Sequence, residues 1–99
     1  MSTQRENYNT IFVGKKPVMD YVIACLTLFQ NGTGDITIKA RGRAISKAVD
    51  AAQMITKRFV PGATVRSVEL ATERVKNLES GATSEVSSME IRLSSSAIA

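Results

Sequence analysis

Apolar residues change their spacing several times along the chain, and each change marks an element. Residues 9–14 (NTIFVG) form a short β-rich run that stops at Gly14, and Pro17 then supplies a preset φ suited to the start of a helix. From there Val18, Val22, Cys25, Leu26 and Phe29 fall on one helical face, with Asn31-Gly32 as the stop. Met19, Ile23 and Leu28 are apolar outside that stripe, which predicts a helix covered on more than one side. Residues 35–41 (DITIKAR) alternate: Ile36, Ile38 and Ala40 face one way, Thr37, Lys39 and Arg41 the other, as in a half-buried strand. Gly42 breaks the alternation. The stripe Ile45, Ala48, Val49, Ala52, Ile55 and Phe59 then predicts a second helix over residues 44–59, ended by Val60-Pro61-Gly62. Ala51 and Met54 lie beside this stripe as a small apolar patch suited to another element or a partner chain.

After Pro61-Gly62 the character becomes β. Residues 64–75 and 84–93 read as two strands of an antiparallel hairpin, joined by a loop around residues 77–83. Val65 is out of phase with Val68 and Leu70, which predicts a bulge. Residues 1–8 and 94–99 are expected to be flexible. The order is β-α-β-α-β-β, and the expectation is one α+β domain over residues 1–99, a two-layer sandwich of two helices on a four-stranded mixed sheet.

Composition narrows the function. With 43% hydrophobic and 22% charged residues, the 99-residue chain is too apolar to be disordered. A chain this short buries about 65% of its unfolded surface, so a second subunit would help stabilise it. The one cysteine, Cys25, cannot form an internal disulfide and fits a reduced cytoplasmic compartment. The longest apolar stretch, residues 18–29, is interrupted by Asp20, Tyr21 and Thr27 and is too short to span a bilayer, so no membrane association is expected. Without histidine, Cys/His metal sites and Ser-His or Cys-His nucleophile pairs cannot be assembled within one chain. No GxxxxGK[ST] or GxGxxG spacing is present, and the carboxylates are scattered. No enzyme activity, metal or cofactor is expected.

Charge adds a positive indication. The net charge is +4, but residues 15–58 hold eight basic against three acidic side chains, and the rest of the chain is slightly acidic. Regional basicity favours a polyanionic partner. Gly14-Lys15-Lys16-Pro17 lies between a strand and a helix N-terminus, where free N–H groups, the helix dipole and two ammonium groups can meet a phosphate. Arg41-Gly42-Arg43 is a second basic turn, whose guanidiniums can each grip two phosphate oxygens. If the first two strands are parallel neighbours, both turns leave the sheet at the same edge. The alternative at each turn is simple solvation. Phe59, an aromatic at the end of an apolar stripe, reads first as core.

The stretches GKKPVMDYV (residues 14–22), IKARGRAISKAVD (residues 38–50) and RFVP (residues 58–61) closely resemble the archaeal Alba family of chromatin proteins. The resemblance implies a homodimer that binds double-stranded DNA with little sequence preference, with RNA binding also present in the family, and a place on the chromosome in the cytoplasm. On the matching positions Lys15 and Lys16 would contact the DNA backbone, supported by Arg41 and Arg43. Phe59 would sit where dimers meet along DNA, and Lys15 matches a lysine whose acetylation weakens binding in some members. Lys39 and Lys47 extend the same basic segment. In the family the hairpins can reach along the minor groove, but here residues 78–85 carry Glu79 and Glu85 and no Lys or Arg; Arg74 and Lys76, just before the loop, are the available cations. Three other functions stay open: an RNA-binding protein acting on structured RNA, a scaffold working through Ala51, Met54 and Phe59, and, distantly, a sugar- or nucleotide-processing enzyme. Exposed aromatics are too few to argue for stacking on single strands.

Overall fold

The computed structural model describes residues 9–95. Its elements run β1 (Thr10–Phe12), α1 (Val18–Gln30), β2 (Asp35–Arg41), α2 (Ala44–Met54), a π-helical turn (Ile55–Phe59), β3 (Ala63–Lys76) and β4 (Thr83–Ser95). The sheet order is β1-β2-β4-β3. β1 pairs parallel with β2, and the remaining pairs are antiparallel. The expected two-layer α+β fold is therefore the observed one. The expected flexibility of residues 1–8 and 96–99 lies outside the described residues, whereas Ser94 and Ser95 belong to β4: the Ser95 N–H donates to the Gly34 carbonyl at 2.9 Å, and Ser95 is buried.

Ile36, Ile38 and Ala40 of β2 and Ile91 and Leu93 of β4 face the helices and meet Val22, Cys25 and Phe29 of α1 and Ala48, Ala51 and Ala52 of α2. Alternation thus leaves Thr37, Lys39 and Arg41 on the sheet's uncovered face. α1 ends where the sequence places its stop. Gly32, at φ +93°, donates its N–H to Phe29 O, and Thr33 donates to Leu28 O, the paired bonds of a Schellman cap.

Two packing expectations become specific. α1 packs on both the sheet and α2, and Leu28, off the main stripe, packs against the core, whereas Met19 and Ile23, the latter 54% exposed, face outward. Ala51 is fully buried and Met54 packs against the core. The buried seam of α2 runs through residues 48, 51, 52 and 55, where three alanines let the helix lie close on the sheet, and Val49 turns outward instead.

The last turn of the second helix is wound wider than α: the Val60 N–H reaches back five residues to Ile55 O at 2.7 Å. Thr56 Oγ1 donates to Ala52 O at 3.0 Å inside this turn. The wider turn carries Phe59 off the core face, leaving it 44% exposed rather than in the core. The bulge falls at Arg66, between the Val65–Leu93 and Ser67–Arg92 pairs, and brings Val65, Val68 and Leu70 onto the same face.

Burial pushes the Cys25 thiol from its ordinary value of 9.0 up to about 12. The folded state keeps the proton where the unfolded thiol loses it, so this group's contribution to stability is full below pH 9 and declines as pH rises toward 12. In urea unfolding, the stability margin of the wild type over Cys25→Ala is expected to narrow between about pH 8 and about pH 10.5. A constant margin would contradict this burial effect.

Candidate nucleic-acid interface

Parallel pairing of Phe12 with Lys39 sends both strand ends in one direction, so the turn after β1 and the turn after β2 leave the sheet side by side. Around them lies an open groove of about 1000 Å³. Lys15, Lys39, Arg41, Arg43 and Lys47 line it, against the carboxylates of Glu73 and Glu90. Lys16 is exposed on the same turn but does not line the groove.

The first turn is held from two sides. Tyr21, in the first turn of α1, folds back so that its Oη accepts the N–H groups of Gly14 at 2.8 Å and Lys16 at 3.0 Å. Lys47, in the first turn of α2, donates its ammonium to the carbonyls of Gly14 at 3.0 Å and Lys16 at 2.6 Å. Two of the N–H groups expected to be free for phosphate are thus already satisfied, and an anion at this turn meets the side chains of Lys15 and Lys16. Both extend into solvent without an ion pair among the described residues.

The second turn depends on Gly42, whose φ of +59° belongs to the left-handed region that favours glycine. A Cβ there would also stand 3.4 Å from Val86 Cγ1. The Gly42 N–H donates to Ser87 O at 2.8 Å, fixing the turn to β4. Arg41 pairs with Glu73 at 3.0 Å and Lys39 with Glu90 at 3.5 Å. All four side chains are roughly half exposed, so each pair is worth at most about 1 kcal/mol and yields readily to a phosphate. Among the described residues Arg43 has no such carboxylate.

Phe59 lies away from the groove, near where β3 begins at the far end of the sheet. Arg74 and Lys76 lie on the hairpin where it passes beyond Arg41, the last residue of β2. Arg74 pairs loosely with Glu85 at 3.9 Å. Two residues beside the basic turns escaped the sequence reading. Tyr21 is one position off the apolar stripe, and its role depends on a turn that only the fold brings beneath it. Phe12 is 65% exposed on the uncovered sheet face, with the Lys39 ammonium 5.9 Å from its ring centroid.

Comparison with known proteins agrees with this architecture. The family model described as Alba matches residues 9–77. The chain belongs to the Alba family. It is 51% identical over 85 residues to DNA/RNA-binding protein Alba 1 of Archaeoglobus fulgidus, covering 86% of this chain and 93% of that one. DNA/RNA-binding protein Alba of Thermoplasma acidophilum is 51% identical over 86 residues, covering 87% and 94%. The solved structure of Alba from Thermoplasma volcanium superposes with a TM-score of 0.82 at 51% identity, covering 87% of this chain and 99% of that one. Among the described residues no cluster of potential metal ligands occurs, and no helix is long and apolar enough to cross a membrane.

Removing only the Tyr21 hydroxyl, by Tyr21→Phe, strands the Gly14 and Lys16 N–H groups and is expected to cost about 1–2 kcal/mol in urea unfolding. Hydrogen exchange at these two amides should accelerate more than elsewhere, and unchanged exchange would show that Tyr21 does not hold the turn.

Proposed function

We propose that this chain is an architectural nucleic-acid-binding protein that coats, compacts or bridges double-stranded DNA through the phosphate backbone, on the chromosome in the cytoplasm. The observation that carries this reading is the convergence of five cations from two βα turns and their strand and helix neighbours in one groove. The relatives' description as DNA/RNA-binding proteins supports it. Lys15, Lys16, Arg41 and Arg43 contact phosphates. Lys39 adds field from the groove, and Arg74 and Lys76 act from the hairpin. Lys47 contributes chiefly by holding the Lys15-Lys16 turn, because its ammonium is engaged with two carbonyls. Among the described residues no helix presents a row of base-reading side chains, so sequence discrimination is weak.

The working unit is a homodimer. Val65, Val68 and Leu70, the last 74% exposed, form an apolar row on the helix side of β3, which the helices of this chain leave uncovered. Burying that row against a second copy suits a chain with so modest a core. Phe59, exposed at the other end of the sheet, is the contact between neighbouring dimers along DNA. Acetylation of Lys15 removes a phosphate-facing charge and loosens the complex.

A dimer presents eight charges from Lys15, Lys16, Arg41 and Arg43, so the log–log salt slope on duplex DNA should approach about −7, and Lys16→Ala should reduce its magnitude by about 2. Fluorescence anisotropy across a salt series, on a DNA duplex and an RNA duplex of the same sequence, measures both. A slope near zero rejects phosphate contact, and tighter binding to the RNA duplex makes structured RNA the principal partner. For the dimer, Leu70→Glu should yield monomers in sedimentation while the circular dichroism of the fold persists. Dimers that survive it would exclude the β3 row as the interface.

A further inference from the structure

Phe12 is the one large aromatic among the described residues that combines high exposure with a place in the basic groove. β1 alternates, so Ile11 and Val13 turn toward the helices while Phe12 stands on the uncovered face beside its register partner Lys39. Leaving a phenyl ring 65% exposed forgoes much of the burial that makes aromatics useful in a core. Lys39 helps fix it: its ammonium lies 5.9 Å from the ring centroid and 3.5 Å from Glu90. Lys15, Arg41 and Arg43 line the same groove as the ring.

An exposed aromatic set among cations is what a single strand needs, since its bases offer flat faces for stacking while its phosphates follow the positive charges. A paired base in a duplex offers only its edges in the grooves. Phe12 therefore has a use in this groove that a duplex backbone does not supply.

We propose that Phe12 is a stacking platform for an unpaired nucleobase of a strand whose phosphates the groove holds. The inference rests on the phosphate-binding reading above, with Lys15, Arg41 and Arg43 holding the phosphates on either side of the stacked base.

The test uses anisotropy with three probes: oligothymidine, an abasic oligonucleotide of equal length and phosphate number, and a duplex. Wild type should bind oligothymidine more tightly than the abasic strand. Phe12→Leu should weaken the oligothymidine complex roughly tenfold, with the abasic and duplex affinities and the salt slope unchanged, whereas Phe12→Tyr should restore binding. Because the ring is exposed, the variants should fold, as circular dichroism would verify. Equal wild-type affinity for the thymidine and abasic strands would overturn the proposal, as would a loss confined to the duplex, which would make Phe12 a wedge between base pairs. A change of oligomeric state in Phe12→Leu would also overturn it, by showing that a second copy covers the ring. Wild type that binds no probe would refute phosphate binding itself, a result separable from selective failure of stacking.

Discussion

The pairing of Thr10, Ile11 and Phe12 with Thr37, Ile38 and Lys39 is the shortest ladder in the sheet, and the position of the basic groove depends on it. Because the two strands run parallel, α1 must cross over between them, and each strand then hands its chain to a helix at the same end of the sheet. Had β1 joined antiparallel, Lys15-Lys16 and Arg41-Gly42-Arg43 would lie at opposite ends, too far apart to form one groove. Helix packing makes the arrangement rigid: Val13 beneath the first turn is buried, and the first turns of both helices stand close enough for Tyr21 and Lys47 to grip that turn between them.

The grip divides labour within a small set of groups. A neutral hydroxyl takes up backbone N–H groups, a cation takes up backbone carbonyls, and the remaining lysines of the turn keep their charge for solvent. Glu73 and Glu90 restrain Arg41 and Lys39 in the same economical way. Half-exposed carboxylates hold long flexible side chains near the groove without burying charge, so little desolvation opposes an exchange of partners. Arg41 uses one Nη1 toward Glu73, which leaves most of its five donors available.

Much of this was legible in the residues. The helical spacing from Val18 to Phe29 and the alternation of β2 fixed faces as well as elements, and the hairpin and its bulge followed from the change to β-branched residues and the phase of Val65. Where legibility failed, the cause lay in tertiary geometry. Ile11-Phe12-Val13 is apolar throughout, so no alternation marks which residue faces water. The wide turn at residues 55–59 has no residue signature, and it moved Phe59 off the core face that its spacing predicts. The partners of the Gly14–Lys16 turn include a lysine more than 30 residues away, which only the crossover brings near. Alba membership rested on specific segments, while the chemistry of the groove needed the fold.

The hairpin continues for five residue pairs beyond the Arg41–Ser88 pair, from Thr72–Ser87 to Lys76–Thr83, a projection of about 17 Å at the groove end of the sheet. None of these ten residues is buried: ladder hydrogen bonds and the Arg74–Glu85 pair shape the arm, and the Gly42 N–H to Ser87 O bond and the Arg41–Glu73 pair tie down its base. An element without a core of its own has low bending stiffness, and its twist can be adjusted at small energetic cost. The molecule thus joins a stiff socket to a compliant strap: the groove keeps a geometry fixed by the helices, while the arm is free to change its curvature.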